Sequence, residues 1–427
     1  MDSRLLDRCA ASAFARLLDV PMNLIGARGG HFDDNGSRFR IVGANNYYAA
    51  FATHAMRRAV LDAAKQMGLN VLRCPAFLDA IWRGACFQSW NPATNRPEVN
   101  IGENGIQRLD YLIADAEQAG IRLILPLVNH WPDFGGMDRY VEWFKAASRD
   151  DFYCDPDVRG AYRSYVSQIV TRQNTVTGRL YKDEPAILAW ELANEPRCNG
   201  RDGGAILFEW VREMSRWIKQ NDPNHLLGVG DEGFFGKYGV DCETFLGVPD
   251  IDFGTFHLYP QAWKQRDPLS FGLRWIEQHL AAGRSAGKPM LLEEYGMTVG
   301  GPRGLSSTSE RDEIYRAWLR SVLEQEGAGD LAWMLASTDD ETGELYPDYD
   351  RFTFYSDADV PSIRAHALEM TFQTAVPNSA PTPEVTAIAS APQNVTRIAP
   401  AATLAPPTRA AMPPRSARKN KDVPDTR

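Results

Sequence analysis

AWELANEPRC, residues 189–198, starts apolar and then sets Glu191, Asn194 and Glu195 within five residues before Pro196 closes the run. Its first half, with ILAWEL at 187–192, has the length and composition of a buried strand. A strand that ends in two carboxylates and an amide carries its chemistry at its C-terminal end. Seven further runs share this form: 39–47 (FRIVGANNY), 70–75 (NVLRCP), 122–128 (RLILPLV), 226–230 (LLGVG), 252–259 (DFGTFHLY), 289–295 (PMLLEEY) and 330–336 (DLAWMLA).

Between them lie amphipathic stretches. In IQRLDYLIADAEQAG, residues 106–120, Ile106, Leu109, Leu112, Ile113 and Ala116 keep helical spacing and Gly120 supplies the stop; VLDAAKQMG ends in the same way at Gly68. Eight strands alternating with helices predict an α/β fold, a (β/α)8 TIM barrel, in preference to an open doubly wound sheet, which usually has fewer strands. Ahead of the first strand, Asn35-Gly36 between short extended runs predicts an N-terminal β-hairpin that plugs the bottom of the barrel. No repeat of 20 to 50 residues is visible beyond the βα alternation.

The chain of 427 residues is 44% hydrophobic and 11% aromatic, enough for a full-sized core. Ten of the 27 prolines fall in residues 377–427 and no aromatic follows Phe372, so a disordered tail is expected there. The expected organisation is an N-terminal extension over 1–23, a catalytic barrel over 24–373 and a Pro/Ala/Thr-rich tail over 374–427. A formal net charge of -9 gives no basic footprint for nucleic acid or an anionic membrane. No apolar run approaches a membrane span. A monomer is expected. The opening residues are broken by Arg8, Arg16 and Asp19 and do not read as a signal peptide, so the chain as written is expected to be cytoplasmic. Six dispersed cysteines (Cys9, Cys74, Cys86, Cys154, Cys198 and Cys242) without a CxxC argue against a zinc site and a dense disulfide framework, leaving room for one or two disulfides.

In such a barrel the active site forms where strands end. Reactive residues collect there: Arg73 after the second strand, Asn129, His130 and Trp131 after the third, Asn194 and Glu195 after the fourth. His257 and Tyr259 end the sixth, Glu293 and Glu294 the seventh, and Trp333 lies in the eighth. Glu195 and Glu294, three βα units apart, should face each other across one mouth. Opposed carboxylates in an aromatic cleft suit glycoside hydrolysis, in which one acid protonates the leaving oxygen and the other meets the oxocarbenium-like centre. Either glutamate alone reads more readily as a salt-bridged or solvated strand end; the shared position of all these residues is the argument. Arg73 would hold the nucleophilic carboxylate ionised. Trp333 and Trp131 offer flat apolar faces for a sugar ring, and Glu191 reads as a structural ion pair.

Two other readings fail. GRSAG at 283–287 matches G-x-S-x-G, but Ser285 is expected in the turn that leads from a helix into a strand, instead of after a strand. No H-E-x-x-H or paired histidine spacing predicts a metal. Neither metal nor cofactor is expected.

With these residues in hand, the chain resembles the β-mannanases of glycoside hydrolase family 5 from about residue 24 to 372. The resemblance rests on LVNHWPDFGGMDRYVEW (127–143), TGRLYKDEPAILAWELANEPRC (177–198), FGTFHLYP (253–260) and KPMLLEEYG (288–296). It implies that Glu195 is the acid/base and Glu294 the nucleophile, with Glu293 a neighbour. It further implies that Asn194 meets the sugar 2-hydroxyl, that Arg73 and Tyr259 orient Glu294, and that His257 lines the same subsite. Trp333 would carry the ring and Arg197 reach toward the leaving group. Pro75 and His130 depart from the family pattern, in which tryptophan and asparagine are common at those positions. The family is usually secreted, whereas no export signal is read here.

The implied function is a retaining hydrolase of β-1,4-mannosidic bonds in β-mannan or manno-oligosaccharides, an endo-1,4-β-mannanase; the alternatives are an exo-acting β-mannosidase and, more distantly, a non-catalytic carbohydrate-binding barrel. Two carboxyls roughly 5 to 5.5 Å apart resist double ionisation, so Glu294 is expected to keep the charge and Glu195 the proton.

Overall fold

The computed structural model describes residues 22–200, 204–301 and 304–375, the side chains of 371–375 excepted. The N-terminal extension and the Pro-rich tail lie outside these residues, apart from 22–23 and 374–375. Eight parallel strands form the central sheet: β1 (Ile41–Asn45), β2 (Val71–Arg73), β3 (Arg122–Pro126), β4 (Ile187–Glu191), β5 (Leu226–Gly228), β6 (Gly254–Leu258), β7 (Met290–Tyr295) and β8 (Gly329–Ala332). Each anticipated strand is present. They are ordered β5-β4-β3-β2-β1-β8-β7-β6. The two ends meet through Asp252 N donating to Leu227 O at 2.8 Å and His257 N to Glu232 O at 3.2 Å, which closes the barrel.

Strand parity divides the chemistry along the axis. Ile41, Val71, Ile124, Ala189, Leu226, Phe253, Leu291 and Leu331 pack in one apolar cluster at the barrel bottom. Two-residue periodicity then brings Asn45, Arg73, Glu191 and Glu293 to the same inner face nearer the mouth. The intervening residues, such as Val42, Leu72, Trp190 and Leu292, join the larger core shared with the helices.

Asn35 and Gly36 turn His31–Asp34 onto Ser37–Phe39 with φ of 50° and 89°, the positive pair that a two-residue hairpin turn requires. A third strand, Gly26–Arg28, extends the expected hairpin to three strands through a second such turn at Gly29-Gly30. Phe32 of this sheet is fully buried against the bottom cluster, its ring 5.5 Å from that of Phe253, and so seals the barrel floor.

Helix Gln107–Ala119 ends at Gly120 with φ 77°, where only a residue without a Cβ is unstrained. Ser285 lies in the last turn of helix Pro268–Ala286, donating to Ala281 O, and not in a turn after it. Among the described cysteines, Cys74, Cys86, Cys154 and Cys242 are thiols. No described helix is long and apolar enough to cross a membrane.

Candidate active site

The C-terminal ends of the strands open into a cleft of about 880 Å³ lined by Asn45, Arg73, Trp131, Asn194, Glu195, Arg197, Tyr259, Glu294 and Trp333, together with aromatic residues from several loops. His257 lies beneath it, fully buried. The structure thus brings the nine residues given catalytic or sugar-binding roles from the sequence to one end of the barrel.

Backbone irregularities aim both glutamates. Glu195 adopts φ 49°, a left-handed conformation that costs a non-glycine residue about 1 kcal/mol or more, and its N–H donates to Gly230 O at 2.8 Å. Gly230 is obligatory there, since a Cβ would lie 2.1 Å from Ala193 O. In β7 the register against β6 slips: Leu292 pairs with Phe256, but Glu294 pairs with His257. Consecutive strand residues normally point to opposite faces; this bulge lets Glu293 and Glu294 both enter the site.

Oxygens of Glu195 and Glu294 lie within 4.8 Å of one another and of a His257 ring nitrogen. That trio is the one group of potential metal ligands among the described residues, but its atoms are already engaged by hydrogen bonds. Arg73 Nη1 donates to Glu294 Oε1 at 2.7 Å and the Tyr259 hydroxyl to Oε2 at 2.7 Å. Arg73 also donates through Nε to Glu191 Oε2 at 2.9 Å and through Nη2 to Asn194 Oδ1 at 2.9 Å. Burial opposes the Arg73 charge, yet Glu191, Glu293 and Glu294 together raise its pKa above the ordinary value.

Trp131 Nε1 donates to Glu195 Oε2 at 2.5 Å, and His257 Nδ1 lies 2.7 Å from Glu195 Oε1. Trp131 therefore holds the carboxylate by its edge, whatever its face offers a sugar. Burial raises the Glu195 pKa, but His257, Trp131 and Arg197 outweigh it and bring it down to about 2. Conversely, the glutamates overcome burial at His257 and raise it well above its usual value. These shifts favour an ionised Glu195 beside a protonated His257, against the expectation that Glu195 keeps the proton. Burial, with the charge on Glu195 adding to it, raises Glu294; His257, Arg73 and Tyr259 offset this only in part.

Asn194 Nδ2 donates to Asn129 Oδ1 at 3.0 Å, which leaves its second amide hydrogen for the cleft. Trp333 donates through Nε1 to Asp350 Oδ2 at 2.7 Å, fixing its ring as one wall. Arg197 forms a two-pronged pair with Glu232 at 2.5 and 2.6 Å, its guanidinium 4.9 Å from the centre of the Trp131 ring and 4.3 Å from that of Tyr238. Pro75 lines the cleft. His130 sits below it, where burial and the charges of Arg149 and Arg197 lower its pKa to about 4.

Several cleft residues escaped the sequence reading. Asn45 accepts from Arg73 Nη1 at 3.2 Å and donates to Glu293 O at 2.9 Å. Glu232, Tyr238 and Trp263 come from loops after β5 and β6, and Tyr47, Tyr346, Tyr349 and Asp350 from loops after β1 and β8. For Asn45 the signal existed, since it shares inner-face parity with Ile41 and Gly43; the loop residues have no such period.

A family model described as GH family 5 beta-mannosidase-like matches residues 22–334. Mannan endo-1,4-beta-mannosidase A of Podospora anserina is 37% identical over 344 residues, spanning 77% of this chain and 85% of that one. Among solved structures, the endo-beta-1,4-mannanase from Thermotoga petrophila is 39% identical with a TM-score of 0.70, covering 79% of this chain and 78% of that one. The endo-1,4-beta-mannanase from Rhizomucor miehei is 33% identical with a TM-score of 0.75, covering 82% and 100%.

Proposed function

The chain belongs to the β-mannosidase-like part of glycoside hydrolase family 5, and from that premise we propose that it cleaves internal β-1,4-mannosidic bonds of mannans with retention of configuration. The observation that carries the reading is the approach of Glu195 and Glu294 to within 4.8 Å. Retaining enzymes hold their carboxyls at about 5 to 5.5 Å, whereas inverting ones leave about 6.5 to 9.5 Å for a water molecule.

In this reading Glu294 attacks the anomeric carbon while Glu195 protonates the leaving oxygen. Arg73 and Tyr259 hold both Glu294 oxygens, so the carboxylate meets the sugar in one orientation. Esterification removes the Glu294 charge, and Glu195 then takes a proton from the incoming water. Asn194 is assigned the 2-hydroxyl, Trp333 and Trp131 the sugar faces, His257 the floor of the cleaved subsite and Arg197 the leaving-group side. No step calls for a cofactor. All these side chains come from one chain, so a monomer suffices, with 24–373 as the catalytic domain.

Endo action is favoured by a cleft to which all eight βα units contribute, β7 through Glu294 itself and the others through the loops that follow them, and by relatives named for endo cleavage. Digestion of β-1,4-mannan with products separated by length tests it. A ladder of oligosaccharides is expected; mannose alone would mean exo action, and no product would mean a binding protein.

A further inference from the structure

Beneath the two opposed glutamates lies a second pair of acids. Glu191 and Glu293 are both fully buried. Each turns Oε2 toward Arg73 Nη2, at 2.8 Å for Glu191 and 3.4 Å for Glu293. Their Oε1 atoms are shut off from water and meet no N–H or O–H donor. Two carboxylates would leave those sites unmet, whereas a carboxylic acid donates as well as accepts, so one proton between them supplies what is missing. The two side chains lie within hydrogen-bonding reach of each other, so a proton on one can be donated to the other.

Glu293 also reaches upward. Its Oε2 lies 3.3 Å from His257 Nε2, while His257 Nδ1 lies 2.7 Å from Glu195 Oε1. A continuous line of contacts therefore runs from Glu191 through Glu293 and His257 to Glu195.

We propose that Glu191 and Glu293 share a single proton, carried by Glu191, and that the carboxylate this leaves on Glu293 holds His257 as the proton-bearing neighbour of Glu195. The proposal rests on the reading of Glu195 as acid/base. Glu191, Glu293 and His257 act through Glu195, so Glu191 and Glu293 are positioning residues.

Charge balance points the same way. Glu191, Glu195, Glu293 and Glu294 surround the cations Arg73 and His257, so full ionisation would leave two negative charges away from water; a neutral Glu191 halves that. Burial and Glu293 raise the Glu191 pKa well above its usual range. Burial also acts on Glu293, but Arg73, the Glu191 hydrogen bond and His257 outweigh it and lower the pKa. Facing His257 are Glu195 from the β4 end, Asp231 and Glu232 after β5, and Glu293 and Glu294 from β7, with Arg73 of β2 on the other side of Glu293.

The proton inventory closes. In the first step the His257 Nδ1 proton passes to Glu195 as Glu195 protonates the leaving oxygen, and the Glu294–sugar bond forms as the glycosidic bond breaks. In the second, water attacks the sugar, its proton returns through Glu195 to His257, and Glu294 leaves as carboxylate. While His257 is neutral its Nδ1 lone pair faces Glu195, which makes the pair a better base when water must be deprotonated.

The test uses the full chain, with pH profiles on mannan for Glu191→Gln, Glu293→Gln and Glu293→Asp. A carboxamide copies a neutral acid, so Glu191→Gln, whatever it does to kcat through Arg73, should move the basic limb of kcat/KM far less than Glu293→Gln does. Glu293→Gln removes the charge behind His257; the basic limb of kcat/KM should move down by about one pH unit and kcat fall at least ten-fold, with KM nearly unchanged. Glu293→Asp should restore the limb. Equal shifts from the two Gln variants, or an unmoved limb in Glu293→Gln, would overturn the proposal. Should Glu293→Gln not fold, nitrogen NMR of wild-type His257 decides: two protonated ring nitrogens at neutral pH support it and one refutes it. The acid role of Glu195 is tested separately by Glu195→Ala, which should impair poor leaving groups far more than activated aryl mannosides.

Discussion

Glu195 and Glu294 approach each other within 4.8 Å from β4 and β7, on opposite sides of the barrel mouth. A gap this small accepts an anomeric carbon but leaves no room for a water to attack from behind the sugar. The first product released should therefore be the β-anomer. Proton NMR of the fresh hydrolysate checks it, and an initial α-anomer would contradict the geometry.

Replacing the nucleophile separates chemistry from folding. Glu294→Gln should lower turnover by about four orders of magnitude or more. The same change should stabilise the protein at neutral pH, because the Glu294 pKa is raised in the folded state by burial and by Glu195. A raised carboxylate contributes stability that is complete below its unfolded value, near 4.3, and is lost as pH rises through the folded value. The gain in melting temperature should thus be a few degrees at pH 7 and vanish near pH 4. Thermal melts at both values give the answer; equal effects at the two would show that the shift is not electrostatic.

What the sequence disclosed, and what it hid, follows from which forces have a period. The barrel strands were legible because their apolar runs are local and the helices between them repeat every 3.6 residues. The placement of Glu195 and Glu294 followed from the rule that barrel chemistry sits at strand ends. The slip in β7 that lets Glu293 and Glu294 enter together was not legible, because a bulge is set by pairing with β6. Tyr47, Tyr346 and Asp350 were invisible for a related reason. Loops from β1 and β8 bring them beside Trp333, with Tyr47 and Trp333 ring centres 6.3 Å apart, and no local pattern encodes that meeting.

Tyr259 offers a pH test with a definite sign. Its hydroxyl donates to Glu294 Oε2 at 2.7 Å and so favours the ionised nucleophile. A hydrogen bond to a charged group contributes about 1.5 to 3 kcal/mol, equivalent to about one to two pKa units. Tyr259→Phe should raise the Glu294 pKa further and move the acid limb of kcat/KM to higher pH by about that amount. The basic limb should stay in place, since His257 and Glu195 keep their 2.7 Å contact. An acid limb that stays put would show that Arg73 alone sets the ionisation of Glu294.

Trp333 closes one side of the cleft, its Nε1 tied to Asp350 and its ring beside Tyr47. A ring held by its edge presents its face without further loss of rotamer freedom, which suits stacking against a pyranose. By analogy with aromatic stacking in nucleic-acid binding, Trp333→Ala should weaken sugar binding by about 1 to 3 kcal/mol. Asp350→Asn retains an oxygen to accept the indole N–H, so it should cost far less, whereas Asp350→Leu frees the ring and should fall between. Titration calorimetry with manno-oligosaccharides on a Glu294→Gln background, which prevents turnover, measures all three. If Trp333→Ala and Asp350→Leu weaken binding equally, ring orientation outweighs ring area in holding the sugar.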